Sequence, residues 1–258
     1  MRRTGDGAVR VSMDFSPTPI AVLDRGVRLL SRNPWRVPLT AFVLGAIPIL
    51  ASLSTSGIWL HAARDQANLF RLSLSALSLV CTMLAYVIAF RCRLDEADGI
   101  ARTVPAVLWK GTKLFVRACW LTLPLTLLNL WLMSQAVWAL FIVSLATGFF
   151  HASFAFDGLS LKAAASATVK VFRRAAPSVI LNGVLMIGVQ ILASKGYSAA
   201  QHALYARIGL TYPVFWFVSG SAYVTLYTTL LSAWGAAFYV GQRDVIGHRP
   251  THIADVFS

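Results

Sequence analysis

The chain of 258 residues is 57% hydrophobic, only 13% of its residues are charged, and its formal net charge is +13. Soluble domains are about 45–50% apolar and about 25% charged, so this composition excludes an ordinary soluble fold. The positive charge alone would suit a nucleic-acid partner, but no helix-turn-helix or stacking-platform pattern accompanies it. We therefore expect lipid, and no nucleic acid, around most of the chain.

Six stretches are long enough to cross a bilayer, which takes about 20 mostly apolar residues. They are helices, because backbone groups in lipid must bond internally and the runs lack the alternation of a barrel strand. The sequence predicts an all-α polytopic membrane protein with a disordered tail at 1–17, a six-helix domain at 18–240 and a short cytoplasmic tail at 241–258. The spans are expected at about 37–60, 72–90, 116–134, 136–156, 177–194 and 213–240.

Lysine and arginine fall almost wholly on one side of these spans. Of the 23 basic residues, only Arg64, Arg71, Lys195 and Arg207 fall in the loops of the opposite side. Basic loops stay in the cytoplasm, and an even number of spans places both termini on one side. The pattern predicts a multi-pass protein of the plasma membrane, most simply a bacterial inner membrane, with cytoplasmic N- and C-termini.

A loose three-fold repeat is suggested by an apolar residue followed by aspartate at Leu23-Asp24, Leu94-Asp95 and Phe156-Asp157. A basic amphipathic segment and two spans follow each pair. Such segments lie in the membrane interface with cations toward anionic headgroups, so anionic lipids are an expected partner. Their charges also serve to set topology. The basic interfacial residues are Arg25, Arg28, Arg32, Lys110, Lys113, Arg117, Lys162, Lys170, Arg173 and Arg174.

Two of these segments, 23–36 and 156–174, resemble the entry helices of a bacterial family of six-helix membrane domains. That family includes the membrane domain attached to some glycerophosphodiester phosphodiesterases and the YciC-like inner-membrane proteins. The resemblance implies a six-helix membrane domain without catalytic residues, since the phosphodiesterase barrel is the catalytic part in that family.

Polar residues within spans are the candidate functional positions, because such groups are costly in lipid. His151 is a candidate for a proton relay or a ligand contact, although a histidine there also serves as an ordinary hydrogen-bonding residue. Asn129, Asn182 and Gln190 are expected to bond between helices, with a substrate site as the alternative.

The acidic group Asp95, Glu96 and Asp98 has no neighbouring histidines and is interpreted as a solvated turn, not a metal site. No nucleophile, metalloprotease or phosphate-loop motif is present, so no catalytic residue, metal or cofactor is expected. Small residues spaced by four predict close helix packing, within the bundle or at a subunit interface. They are Ser144, Gly148 and Ala152 in the fourth span, with Ala233, Ala237 and Gly241 in the sixth.

Three functions remain open from these features. The leading hypothesis is a non-enzymatic scaffold or accessory subunit of a membrane complex, with a membrane-protein partner or a second copy of itself. The alternative is a transporter or lipid-handling protein with a polar cavity bordered by His151, Asn129 or Asn182. An intramembrane enzyme is third and requires a catalytic pair that includes His151.

Overall fold

The computed structural model describes residues 18–32, 34–59, 64–100, 103, 105–117, 119–120, 148–208 and 212–247. Side chains at 52–72 and at a few positions in later helices lie outside that description. All regular structure in the described ranges is α-helical. The helices are α1 (Pro19–Arg32), α2 (Arg36–Trp59), α3 (Arg64–Ala97), α4 (105–117), α5 (148–155), α6 (Leu161–Ile208) and α7 (Tyr212–Val245).

Several of these helices have the length and apolar composition of membrane spans. Within the described residues three segments qualify, Ala76–Ala97, Leu161–Tyr205 and Val214–Val245. A fourth qualifies if Pro19–Arg32 and Arg36–Ala51, which meet at 83°, are counted as one broken span. The chain is therefore an all-helical protein with helices suited to a membrane.

The predicted spans at 72–90, 177–194 and 213–240 fall within α3, α6 and α7, and residues 37–59 of the span predicted at 37–60 fall within α2. Most of the span predicted at 116–134 and the first part of that at 136–156 lie outside the described residues, as does the tail 1–17. Of the tail predicted at 241–258, residues 241–245 are the end of α7 and 248–258 lie outside the described residues. Six spans therefore stay a prediction.

Large apolar side chains lie exposed along the outer faces of the long helices. Leu39 and Val43 of α2 are 64% and 52% exposed, and Val214 and Val218 of α7 are 48% and 54% exposed. Burial of a leucine or valine side chain is worth about 1.5–3 kcal/mol in water, so such rows are costly in a soluble protein. Lipid removes that cost, and the pattern fits a membrane environment.

The main core lies where the C-terminal ends of α3, α5 and α7 meet. Phe90 of α3 packs with its ring centroid 4.7 Å from Phe156, just beyond α5, and 6.2 Å from Tyr239 of α7. Phe149 lies 5.1 Å from the same tyrosine. This aromatic cluster holds the ends of three helices against one another and so brings together the charged side chains at those ends.

Helix α6 combines a predicted basic amphipathic segment with a predicted span. The two parts are separated by a kink at Ala175, whose backbone has φ −138° and ψ 26°. Pro177 follows two residues later, and proline disfavours helical geometry in the residue before it and removes a backbone donor. The helix axis therefore bends at this point without an intervening loop.

Candidate functional site

Seven charged side chains gather at the ends of α3, α5 and α7. We call them the charged end, and they are Arg91, Arg93, Asp95, Glu96, Asp98, Asp157 and Arg243. Burial of a charge costs several kcal/mol unless it is paired and hydrogen-bonded. The pairing in this cluster is therefore the main determinant of what this end of the molecule can do.

Two buried ion pairs lie along α3 itself. Arg91 Nη2 lies 2.5 Å from Asp95 Oδ1, and Arg93 Nη1 lies 2.7 Å from Glu96 Oε2. The arginines also donate to backbone carbonyls, Arg91 to Phe156 at 3.1 Å and Arg93 to Leu29 at 2.5 Å. Each arginine thus neutralises an acid on its own helix and ties α3 to another segment.

A third pairing bridges three helices. The Arg243 guanidinium of α7 donates to both carboxylate oxygens of Asp98, and its Nη1 lies 3.8 Å from Asp157 Oδ1. The Tyr239 hydroxyl donates to Asp157 Oδ2 at 2.5 Å. One arginine and one tyrosine of α7 therefore hold the turns that follow α3 and α5.

The expectation of a solvated turn at 95–98 is wrong. Asp95 and Glu96 are only 2% and 8% exposed, because each is paired with an arginine one helical turn earlier. The signal was present in the sequence, since the spacings 91 to 95 and 93 to 96 place opposite charges on one helix face. Arg91 and Arg93 follow the span predicted to end at residue 90 and were therefore expected in a loop. They are 6% and 0% exposed.

The three basic amphipathic segments share one arrangement of faces. We call them the collar helices: α1, α4 and residues 161–174 of α6. In α1, Val22, Gly26 and Leu29 are buried, and Gly26 lies against the backbone of Ala233 in α7. Exposed apolar side chains, Ile20 and Val27, flank the exposed charges of the same helix. A helix of this kind packs one face on the protein and leaves both apolar side chains and charges exposed.

The collar helices are related in sequence more closely than the aspartate spacing suggested. Residues 21–35 and 106–120 share seven identical residues, which are Ala, Val, Leu, Gly, Leu, Arg and Trp in that order. The packed positions recur in register as Val22, Val107 and Ala164, as Gly26, Gly111 and Thr168, and as Leu29, Leu114 and Val171, all buried except the half-buried Leu114. The shifts are 85 and 57 residues.

This alignment of the three collar helices replaces the alignment predicted from the apolar-aspartate pairs. Asp24 is exposed on α1, with 57% of its side chain accessible, whereas Asp95 and Asp157 are 3% and 4% accessible. Asp24 therefore does not occupy the place of the other two. The better signal was the pattern of small and basic residues within the amphipathic segments.

A basic residue near the end of each collar helix is bound into the fold. These residues occupy matching positions, and each donates to a backbone carbonyl of another segment. Arg32 and Arg174 donate to the C-terminal ends of α3 and α7, and Arg117 donates to the loop between α5 and α6. The hydrogen bonds are Arg32 to Glu96 at 2.6 Å, Arg117 to Leu159 at 3.1 Å and Arg174 to Val245 at 3.0 Å. Carbonyls at a helix C-terminus lack intrahelical partners and carry partial negative charge, so a cation there satisfies both needs.

The other basic residues predicted for the interface fall into two groups. Arg25 pairs with Asp244 at 3.2 Å, and Lys110 of α4 is half-buried. Lys162 and Arg173 are exposed. Arg28, Lys113 and Lys170 are exposed as well and occupy one repeated position.

The predicted polar residues of the spans do not form a common site in the described part of the chain. His151 is half-buried on α5, while Asn182 is fully buried and its amide donates to the Ser178 carbonyl of its own helix at 2.9 Å. Asn129 and the side chain of Gln190 lie outside the described residues. No group of three histidine, cysteine or acidic side chains suited to a metal occurs among the residues searched.

The small residues predicted for packing are placed differently in the two spans. Ala233, Ala237 and Gly241 of α7 are buried. Ala152 is 7% exposed, but a Cβ added at Gly148 would have no described atom within 4 Å, and Ser144 lies outside the described residues.

An apolar cavity of about 470 Å³ lies between α6 and α7, in the half of α7 remote from the charged end. Tyr197 and Tyr223 stack at its wall with centroids 4.2 Å apart. Neither His151 nor Asn182 lines it, so it is not the polar cavity predicted for a transporter.

Comparison of the chain with protein-family models, with curated proteins and with solved structures returned no match. The charged end, the collar helices and the cavity are the features of this chain that bear on its function.

Proposed function

We propose that the chain is a non-enzymatic, six-span protein of the plasma membrane that acts as a scaffold or accessory subunit of a membrane complex. Its termini and charged end face the cytoplasm, as the distribution of basic residues favours. The bundle consists of three units, each a collar helix followed by two spans. The proposed relationship to the bacterial six-helix membrane domains is consistent with this arrangement.

The observation that carries the proposal is the way the collar is fixed. Arg32 and Arg174 attach collar helices to the ends of α3 and α7, and Arg117 attaches α4 to the loop between α5 and α6. Arg243 then joins the ends of α3, α5 and α7 through Asp98 and Asp157. A surface held at so many points is suited to present fixed charges to a partner, because little conformational freedom remains to be lost on binding.

The same pairing argues against catalysis at the charged end. A general acid or base needs a carboxylate that can reach a substrate, whereas Asp95, Glu96 and Asp157 are buried against arginine or tyrosine. Their charges are used within the fold, so the charged end supports a structural role.

Purification in mild detergent followed by mass spectrometry of co-purified proteins tests the scaffold proposal. The expected result is a stoichiometric membrane-protein partner, or a homo-oligomer, that is lost when the exposed collar cations are removed in Lys162→Gln/Arg173→Gln. The matched control removes two exposed cations from the other end, Lys195→Gln/Arg207→Gln, and is expected to keep the partner. A monomeric bundle without a partner contradicts the proposal.

A lipid-handling protein is the second candidate, and the cavity between α6 and α7 favours it. Its walls are apolar apart from Gln201, Ser219 and tyrosine hydroxyls, which suits an acyl chain better than a polar solute. Replacement of Ala222 by Trp fills the cavity and is expected to displace a co-purified lipid seen by native mass spectrometry. An unchanged lipid complement in Ala222→Trp removes this candidate.

A further inference from the structure

Two cation positions recur in all three collar helices, and only the inner one has described hydrogen bonds to other segments. The inner position, Arg32, Arg117 and Arg174, donates to backbone carbonyls of other segments. The outer position is Arg28, Lys113 and Lys170, whose side chains are exposed. The described contacts of Arg28 and Lys113 stay within their own helices, with Asp24 and with the Trp109 ring at 4.9 Å.

The outer position is basic in all three collar helices, although most other positions of the repeat differ. Residues 21–35 and 106–120 differ at more positions than they share, and the third copy differs further. A positive charge nevertheless recurs at 28, 113 and 170, although no helix end or buried acid requires it there. The recurrence points to a common anionic ligand outside the fold.

The side chains around the outer position indicate which class of ligand it binds. Exposed apolar side chains lie on the adjoining helix face, Val27 at 62%, Val116 at 61% and Val169 at 50% exposure. Trp35 and Trp120, which match in the repeat register, are 81% and 82% exposed. Tryptophan and cations above an apolar face are typical of the headgroup level of a bilayer.

We propose that Arg28, Lys113 and Lys170 are three equivalent sites for the phosphate of an anionic phospholipid, one on each collar helix. Val27, Val116 and Val169 then face the acyl chains, and Trp35 and Trp120 lie at the level of the headgroups. The proposal rests on the membrane residence proposed above and adds the lipid class and the residues that select it.

Native mass spectrometry of the purified full chain, titrated with phosphatidylglycerol or with phosphatidylcholine, tests the proposal. In Lys113→Gln/Lys170→Gln the apparent affinity for the second and third phosphatidylglycerol molecules is expected to fall about fivefold. The first molecule is retained at Arg28. Phosphatidylcholine binding is expected to stay the same in every variant.

Two controls separate charge at these positions from other effects. Lys113→Arg/Lys170→Arg keeps the charge and is expected to bind like the unaltered chain. Lys195→Gln/Arg207→Gln removes two cations from the other end and is expected to leave phosphatidylglycerol binding unchanged. Equal thermal unfolding midpoints in detergent show that each variant is folded.

The proposal is overturned if Lys113→Gln/Lys170→Gln titrates like the unaltered chain, or if the control at the other end loses phosphatidylglycerol equally. If Lys113→Gln/Lys170→Gln loses a co-purified protein but still binds phosphatidylglycerol, the outer position belongs to a protein partner instead. Extraction of the chain from membranes by alkaline carbonate overturns membrane residence and this inference together. A chain that stays in the membrane without phosphatidylglycerol selectivity fails only the lipid assignment.

Discussion

The Tyr239 hydroxyl donates a hydrogen bond to Asp157 Oδ2 at 2.5 Å and so joins α7 to the turn that follows α5. Tyr239 is 3% exposed and packs between Phe90 and Phe149. Its ring therefore belongs to the aromatic core while its hydroxyl belongs to the charged end. This one side chain couples the apolar and ionic parts of the bundle.

Replacement of Tyr239 by Phe is expected to destabilise the bundle by about 2 kcal/mol, the usual range for a hydrogen bond to a buried charged group. The ring and its packing are preserved, so the loss measures the hydroxyl alone. Unfolding titrations in SDS give the free energy. Tyr223→Phe is the control, because its ring stacking is retained, and a loss as large in that variant would argue against a special role for Tyr239.

Replacement of Arg243 by Met removes the cation that Asp98 and Asp157 share. We expect a loss of about 3–5 kcal/mol, because removal of one partner leaves buried charge uncompensated. Addition of Asp98→Asn and Asp157→Asn to the same chain is expected to recover much of that loss. The same SDS titration measures both variants, and a triple variant less stable than Arg243→Met alone would contradict this account.

The Arg93 and Glu96 pair is expected to show strong coupling in a double-mutant cycle. Arg93→Met and Glu96→Leu each leave a buried charge without its partner and cost about 3–5 kcal/mol, whereas the double variant is expected to lie near the unaltered chain. The exposed pair of Arg28 and Asp24, which also lies within one helix, serves as the comparison. Additive effects at Arg93 and Glu96 would show that their 2.7 Å contact contributes little.

Replacement of Gly111 by Ala is expected to separate α4 from α3. A Cβ at this position would lie 2.5 Å from Ile88 Cγ1, and overpacking of this kind costs about 1–3 kcal/mol. Ile88→Ala removes the clashing Cγ1, so the double variant is expected to lose less stability than the sum of the two single variants. Gly196→Ala, where a Cβ meets no described atom within 4 Å, is the control and is expected to be slightly stabilising, because alanine favours a helix over glycine.

The long helices were predictable because their signal is local and strong. The spans predicted at 37–60 and 213–240 correspond to Arg36–Trp59 and Tyr212–Val245. The end of α3 was predicted less well, at residue 90 instead of Ala97. A hydropathy pattern stops at Arg91, whereas the helix continues because Arg91 and Arg93 find acids on the next turn.

The charged end was only partly predictable. The pairs within α3 follow from helical spacing, but Arg243 and Asp98 are separated by 145 residues, and no local pattern announces that contact. The repeat was visible in Val22, Gly26 and Leu29 and their counterparts, yet the more conspicuous aspartates suggested a different register. Tertiary packing decides whether a small residue faces a neighbouring helix, as Ala237 does, or open space, as Gly148 does.

The most direct test of the account is the accessibility of single cysteines from outside intact cells. In a chain with Cys81, Cys92 and Cys119 replaced by alanine, Lys113→Cys and Lys195→Cys are labelled with a membrane-impermeant thiol reagent. We predict that Lys195→Cys reacts in intact cells and that Lys113→Cys reacts only after lysis. Labelling of Lys113→Cys from outside would contradict the proposed cytoplasmic collar and the scaffold function based on it.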